Sequence, residues 1–221
     1  MDNALVVGGT SGLGLEIAKI LSRNYEVYIA GRRDPHQRNL DFRRLDLSDI
    51  STLSKNLDIL VEELPLIKLL VYASGYFQEG RIDDLEDSSI LEMNSVGLIA
   101  PELLVRRVVK KQGSLGGFIA ITSTSQFTPR EKEPIYTGVK AGLAMLAKSL
   151  SQDKRFGRVL VAAPAGMKTP FWENSPRDMG TFLEPQWVAQ RIVEAYSAPY
   201  KYAELRLLRE PPRTEIKEKV D

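Results

Sequence analysis

The sequence predicts a doubly wound α/β domain, in which helices cover both faces of a parallel β-sheet. Short apolar segments alternate along the chain with longer segments that have apolar residues at helical spacing. The strand segments are almost wholly apolar, which is typical of strands buried on both faces. No linker or repeat divides the 221 residues, of which 43% are hydrophobic. We therefore expect one three-layer α/β/α domain with a parallel sheet of about seven strands.

The first half of the chain supplies four of the predicted strands. Residues 4–9 (ALVVGG) form the first, and the amphipathic helix 13–24 follows it directly. Residues 26–31 and 42–47 form the second and third strands. The helix 51–64 ends before Pro65, because a residue that precedes proline disfavours the helical conformation. The fourth strand is the apolar segment 67–74.

The second half repeats this alternation with longer helices. Residues 85–111 form a long helix that Gly113 ends, and the fifth strand, 117–123, follows it. A second long helix is predicted, then a strand, a helix and a last strand, at 134–153, 158–164, 185–197 and 203–209. The domain thus spans 1–210, and we expect the charged segment 211–221 to be a mobile end or a subunit contact.

Composition excludes several classes of function. The net charge is +1, with 30 basic and 29 acidic residues spread along the chain, so neither nucleic acid nor a membrane surface is an expected partner. The absence of cysteine excludes disulfides and thiolate ligands, and the single histidine, His36, lies in a polar loop. We expect no metal site. No apolar segment approaches the ~20 residues that span a bilayer, which favours a soluble cytoplasmic protein.

The first strand-to-helix junction, VVGGTSGLG, predicts a phosphate site. Gly8, Gly12 and Gly14 follow the strand and open the helix. Glycine lets a phosphate approach the backbone closely, and a helix N-terminus presents free N–H groups and its positive dipole end to an anion. In this position, three glycines indicate dinucleotide binding. The other predicted contacts of this junction are Thr10, Ser11 and Leu13.

The stretch YTGVK places Tyr136 and Lys140 four residues apart on a predicted helix. Residues at this spacing share one face of a helix, so the phenol and the ammonium can meet. Ordinary helices carry such pairs by chance, and the spacing alone favours a surface pair.

Together, the Gly-x-x-x-Gly-x-Gly spacing, YTGVK and a serine thirteen residues before its tyrosine resemble the short-chain dehydrogenase/reductase family, over residues 3–209. The resemblance implies a Rossmann-type fold. It also implies that Tyr136 is the general acid/base, that Lys140 lowers its pKa and holds the nicotinamide ribose, and that Ser123 binds the substrate oxygen. Asn94, in EMNSVG, corresponds to an asparagine that positions a water in the proton relay. Taken singly, Ser123 and Asn94 are also explained as a strand-end hydroxyl and a residue that bends its helix.

The end of the second strand, YIAGRR, favours NADP(H) over NAD(H). NAD-binding Rossmann domains have an acidic residue here that binds the ribose 2′-OH, whereas an arginine accommodates a 2′-phosphate. Gly31 takes the acidic position and Arg32 and Arg33 follow it. Ser11 argues the other way, because members of the resembled family that prefer NADP often have a basic residue there. The alternative is that both arginines are solvated loop charges.

The resemblance implies further cofactor contacts at the later junctions. Those expected at the adenine are Asp46 and Leu47; those at the end of the fourth strand are Ser74 and Gly75; those at the nicotinamide carboxamide are Pro164, Met167 and Thr169.

Four places depart from the family pattern. Val7 replaces a threonine, Tyr72 and Ala73 replace the two asparagines of an Asn-Asn-Ala-Gly stretch, and Ala165 replaces a glycine. The fourth departure is the 33–46 connection, whose 13 positions are too few for a strand–helix–strand crossover. We expect its helix to be missing or reduced to a turn, which leaves the adenosine end more exposed.

The loop 165–183 is the expected substrate lid. Apolar side chains from this loop and from neighbouring junctions would form a wall that suits a hydrophobic ketone or aldehyde. Those of the loop are Phe171, Trp172, Met179 and Phe182, and those of the junctions are Tyr76, Phe77 and Phe127. Alternatively, these aromatic residues simply pack the loop onto the core. Within the same loop, Lys168 and Arg177 are candidate anchors for an anion, although charges in loops are usually solvated.

These observations favour an NADP(H)-dependent carbonyl reductase or alcohol dehydrogenase that acts on a small molecule. One alternative is a 3-oxoacyl-acyl-carrier-protein reductase, for which Arg130 and Lys132 are the obvious docking cations. Another is a non-catalytic dinucleotide-sensing module, which the intact serine, tyrosine, lysine and asparagine argue against. The two long helices resemble those through which family members associate, so a homodimer or homotetramer is expected.

Overall fold

One β-sheet organises the computed structural model, which describes residues 1–172 and 178–221. Its strand order is β3-β2-β1-β4-β5-β6-β7-β8. The strands are β1 Asp2–Val7, β2 Tyr25–Gly31, β3 Asp41–Arg44, β4 Leu69–Tyr72, β5 Leu115–Ile121, β6 Phe156–Pro164, β7 Tyr202–Arg209 and β8 Pro212–Val220. The first seven are parallel, which confirms the predicted sheet, and β8 is antiparallel to β7.

Six α-helices connect the strands within the described ranges. They are α1 Gly12–Leu21, α2 Ile50–Glu63, α3 Asp87–Asn94, α4 Ala100–Gln112, α5 Pro134–Leu150 and α6 Pro185–Ser197. A π-helical turn, Ser95–Ile99, joins α3 to α4, so the long helix predicted at 85–111 is continuous but widened in its middle. In the part of the chain that the structure describes, no helix is long and apolar enough to cross a membrane.

Both faces of the sheet are covered, which is why the strands are apolar throughout. Leu5 belongs to the core beneath α2, α4 and α5, whereas its neighbour Val6 belongs to the core beneath α1 and α6. The same division separates Leu70 from Val71 in β4. Successive side chains of a strand point to opposite faces, so a strand between two helical layers needs an apolar residue at every position.

The shortened connection between β2 and β3 contains no helix, as its length predicts. Residues 32–40 form only turns and irregular backbone before β3 begins. The His36 side chain is 87% exposed. Leu40 and Phe42 pack against the core beneath α1 and α6 but stay only partly buried. The side of the fold where the adenosine is expected is therefore covered by a loop instead of a crossover helix.

The charged segment 211–221 is not a mobile end, because it forms the eighth strand of the sheet. β8 pairs with β7 along its whole length, and Lys148 Nζ lies 2.6 Å from Glu218 Oε2. Nearly every residue of β8 is exposed, including Ile216 at 66%. Lysines and other charged residues on an edge strand oppose unwanted pairing with other chains. The strand has no buried face, so its sequence lacks the apolar pattern that would predict it.

Candidate active site

The carboxyl ends of the parallel strands border one cleft of about 690 Å³. A parallel sheet brings these ends to a single edge, and ligands bind there in doubly wound folds. The cleft gathers most of the residues singled out in the sequence. They are Gly8, Thr10, Ser11, Gly12, Leu13, Gly14, Arg32, Arg33, Asp46, Leu47, Ser74, Gly75, Tyr76, Ser123, Tyr136, Lys140, Pro164, Met167, Thr169, Phe171 and Trp172.

The glycine-rich turn brings the backbones of β1, β4 and α1 into close approach. Gly8 has φ of +81°, and a Cβ added there would lie 2.6 Å from the Ser74 backbone nitrogen. A Cβ on Gly14 would lie 2.1 Å from the Gly8 carbonyl oxygen. Gly12 has φ of +51° and would meet the Thr169 side chain at 3.3 Å. The turn thus opens directly onto the cleft with the N-terminus of α1 beside it, an arrangement that fits a dinucleotide pyrophosphate.

Tyr136 and Lys140 meet beneath this cleft, both on the buried side of α5. They are 7% and 4% exposed. Lys140 Nζ donates a hydrogen bond to the Ile121 carbonyl oxygen at 3.1 Å and lies 5.7 Å from the centroid of the Tyr136 ring. Burial lowers the pKa of Lys140 to about 8. The pair is therefore not a surface pair, because an ammonium group stands beside the phenol in a largely dry environment.

Ser123 is supported by a polar chain that the sequence did not predict. Its Oγ accepts a hydrogen bond from the Ser125 N–H at 3.1 Å and donates to Ser125 Oγ at 3.2 Å. Ser125 Oγ in turn donates to Glu133 Oε2 at 3.0 Å, and Arg130 Nη1 lies 3.2 Å from Glu133 Oε1. A carboxylate only accepts hydrogen bonds, so it takes the Ser125 proton and leaves that oxygen to accept from Ser123. Glu133, only 3% exposed, thereby orients the serine hydroxyl.

Aromatic rings close one end of the cleft. Phe77 packs edge-on against Tyr136 with ring centroids 5.0 Å apart, and against Trp172 at 5.1 Å. Phe171 lies 6.2 Å from Tyr136 and 5.1 Å from Trp172. Such clusters bury large apolar area in specific edge-to-face geometry. Aromatic rings are therefore clustered beside the phenol, with Phe77 packed against both Tyr136 and Trp172.

Two residues expected at the site lie off the cleft that the described residues form. Phe127, expected in the substrate wall, instead packs under Arg206. The Arg206 Cζ atom lies 3.6 Å from the centroid of the Phe127 ring. Asn94 directly precedes the π-helical turn, and its Nδ2 donates to the Ile90 carbonyl oxygen at 2.8 Å. Its side chain thus serves its own helix, whereas the stacking of Phe127 depends on a partner in β7 that spacing does not reveal.

Of the two candidate anion anchors in the lid, only Lys168 lies within the described residues. Lys168 Nζ lies 2.6 Å from Glu184 Oε1, so its charge is paired outside the cleft. Arg177 lies outside the described residues, as does the middle of the expected lid.

The opposite end of the cleft is charged. The pKa of Asp46 is held below its ordinary value by hydrogen bonds from Ser48 and, more weakly, by the Arg32 charge. Burial raises the pKa of Glu92, whereas the Arg32 charge opposes that rise. The Arg32 charge therefore acts on two carboxylates at the expected adenosine position.

The cleft also contains residues that sequence reasoning missed. They are Gly31, Leu45, Ser48, Ala73, Glu92, Val96, Ile121, Thr122, Ala165, Gly166 and Pro170. Most of them adjoin a predicted contact in the chain, so the junctions themselves were the available signal. Glu92 and Val96 come from the helical segment around Asn94 and, being four residues apart, share a face of it that does not include Asn94.

Comparison with known proteins places the chain in a family. The model of the short chain dehydrogenase family matches residues 2–180. An uncharacterized oxidoreductase of Staphylococcus epidermidis is 25% identical over 210 residues, which cover 89% of this chain and 91% of that protein. The uncharacterized oxidoreductase YohF of Escherichia coli is 25% identical over 207 residues, covering 86% and 82%.

Solved structures share the fold at lower identity. An alcohol dehydrogenase from the archaeon Thermococcus sibiricus, complexed with 5-hydroxy-NADP, has a TM-score of 0.80 and 20% identity, covering 97% of this chain and 99% of that one. A short-chain dehydrogenase from Sphingobium yanoikuyae, complexed with NADPH, has a TM-score of 0.77 and 19% identity, covering 89% and 84%. Because the family model spans most of the sequence and the fold agrees with it, the chain belongs to the short-chain dehydrogenase family of oxidoreductases.

Proposed function

We propose that the protein is an NADP(H)-dependent oxidoreductase that interconverts a ketone or aldehyde and the corresponding alcohol. The observation that carries this proposal is the position of Tyr136. Its phenol lies beside the buried Lys140 ammonium, in the same cleft as Ser123 and the glycine-rich turn. A proton donor, a group that shifts its pKa and a hydrogen-bonding hydroxyl are thus collected at one place.

Each of these residues has a distinct role in the proposed reaction. A nicotinamide held in the cleft would supply a hydride to the carbonyl carbon or accept one from the alcohol. Ser123 turns its O–H away from Ser125 Oγ, donates a hydrogen bond to the substrate oxygen and holds that oxygen near Tyr136. In reduction, the Tyr136 O–H gives its proton to that oxygen and is left as a phenolate. The Lys140 ammonium favours this phenolate and thereby lowers the pKa of the phenol from about 10.

The aromatic end of the cleft supports an apolar substrate. Phe77 and Phe171 pack beside the phenol and Trp172 packs against Phe171, and a largely apolar wall with few polar anchors binds hydrophobic groups best. The acyl-carrier-protein alternative receives less support, because Arg130, one of its two docking cations, is paired with Glu133. The presence of Ser123, Tyr136 and Lys140 in one cleft favours turnover over a purely sensing role.

Tyr136→Phe tests the reaction directly. The variant keeps the ring packing but lacks the proton, so we expect kcat to fall at least about a hundredfold, with nucleotide affinity nearly unchanged. The measurement is NADPH oxidation with a panel of apolar ketones and aldehydes. Tyr28→Phe, on β2 and off the cleft, is the control and should keep full activity. Equal turnover by Tyr136→Phe and the wild type would reject the assigned role.

Arg32→Asp tests the cofactor preference. The substitution places a third carboxylate beside Asp46 and Glu92, where it would repel a 2′-phosphate far more than a ribose hydroxyl. We expect NADPH affinity to fall at least about tenfold more than NADH affinity, a difference of about 1.4 kcal/mol. Titrations followed by cofactor fluorescence measure both. Arg38→Asp, in the same connection but off the cleft, is the matched control, and equal losses of NADPH and NADH would refute the assignment.

Lys140→Met separates a functional charge from a structural one. The pKa of Lys140 is lower in the folded protein, about 8, than in the unfolded chain, near 10.5. The unfolded chain therefore binds more protons between these values, and the lysine makes the wild type more stable as pH rises through that window. We expect the variant to lose turnover. Its melting temperature at pH 7 should be no lower than that of the wild type, whereas by pH 10 the wild type should have gained stability relative to the variant. A large fall in melting temperature at pH 7 would instead mark a structural lysine.

We also propose that two copies associate through the long helices. Met145 on α5 is 62% exposed and Leu91 on α3 is 54% exposed, and among the described residues nothing outside the α5 backbone lies within 4 Å of the Cβ position of Gly138. Small and apolar residues along exposed helices permit close helix packing. We expect light scattering to give at least twice the 24.8 kDa chain mass, and Met145→Arg to reduce it. A wild-type mass of one chain would contradict the proposal.

A further inference from the structure

The sequence explains why one carbonyl of the π-helical turn between α3 and α4 has no backbone donor. Its closing hydrogen bond runs from the Ala100 N–H to the Ser95 carbonyl oxygen, five residues back. In the same register, the Val96 carbonyl would pair with residue 101. That residue is Pro101, which has no N–H. The turn therefore leaves the Val96 carbonyl without a backbone donor inside the protein, where an unpaired polar group destabilises the fold.

Tyr72 supplies the missing donor. It is the last residue of β4, is fully buried, and its hydroxyl donates a hydrogen bond to the Val96 carbonyl oxygen. Burial raises the pKa of this phenol well above its ordinary value, so it remains protonated and able to donate. Tyr72 stands where the resembled family pattern has an asparagine. The longer side chain reaches across to the neighbouring helix.

The turn that Tyr72 holds lies between the two halves of the cleft. Ser95 Oγ donates to the Leu47 carbonyl oxygen at 2.7 Å, and both Leu47 and Val96 line the cleft near its charged end. On the other side, a Cβ on Gly97 would lie 2.3 Å from Val139 Cγ1, so the turn packs tightly on α5. A change in the turn would therefore move the wall formed by Leu47 and Val96 and disturb the residue next to Lys140.

We propose that Tyr72 is a positioning residue for nucleotide binding: its hydroxyl fixes the π-helical turn and thereby the wall formed by Leu47 and Val96. The nucleotide part of this inference rests on the proposed function. The part that concerns the turn is independent of the proposed function, because it follows from the Tyr72–Val96 hydrogen bond, the register of the helix and the missing N–H of Pro101.

Tyr72→Phe removes only the hydroxyl. We expect NADPH and NADH to bind about 2- to 30-fold more weakly, because both share the adenosine end; this is the range over which residues that touch no ligand modulate coupling to a binding site. Hydrogen exchange should also quicken in residues 95–100. Tyr202→Phe, an equally buried tyrosine on β7, is the matched control and should leave both readouts unchanged. Affinities and exchange equal to the wild type would overturn the proposal.

Pro101→Ala provides a rescue, because residue 101 then has an N–H for the Val96 carbonyl. In this background, Tyr72→Phe should weaken nucleotide binding and quicken exchange less than in the wild type. Equal losses in both backgrounds would overturn the mechanism, because they would show that an N–H at residue 101 cannot replace the Tyr72 hydroxyl as the donor to the Val96 carbonyl. If Tyr72→Phe alone does not fold, the comparison of Pro101→Ala with the double variant decides by the same criteria.

If the wild type binds neither nucleotide, the proposed function fails. Hydrogen exchange in residues 95–100 still decides whether Tyr72 holds the turn.

Discussion

The buried charge of Lys140 is the constraint around which the rest of the site is arranged. One backbone carbonyl, that of Ile121 at the end of β5, accepts its hydrogen bond. An ammonium group so far from water is tolerated only where a partner is fixed in place. The position of α5 along β5 is therefore fixed where Lys140 reaches the Ile121 carbonyl. This also fixes Tyr136, which lies one helical turn earlier. The tight contact of Gly97 with Val139 holds α5 from the other side.

The sequence predicted the features whose causes are local. A glycine turn after a strand is recognisable because close backbone approach demands small residues, as the contacts of Gly8 and Gly14 show. The missing crossover helix followed from counting residues between Arg33 and Asp46. The alternation of strands and helices gave the layers because every buried strand position must be apolar. In each case, the segment alone contains the physical reason.

Features that depend on two distant segments were not predictable. The chain from Ser123 through Ser125 to Glu133 requires the strand end and the start of α5 to be in place. Phe127 is drawn to Arg206 by a stacking contact with β7 instead of facing the cleft. β8 pairs through its backbone while its side chains stay in solvent, so neither hydrophobic pattern nor charge identified it as a strand.

The antiparallel return of β8 has a practical consequence for handling the protein. β7 runs toward the edge of the sheet that carries the cleft, and β8 runs back until Val220 is opposite Tyr202. β1 also begins at that far edge. A fused domain, affinity tag or surface linker attached at residue 1 or residue 221 would therefore emerge on the side away from the cleft. Immobilisation through either end should leave the cleft open to solution.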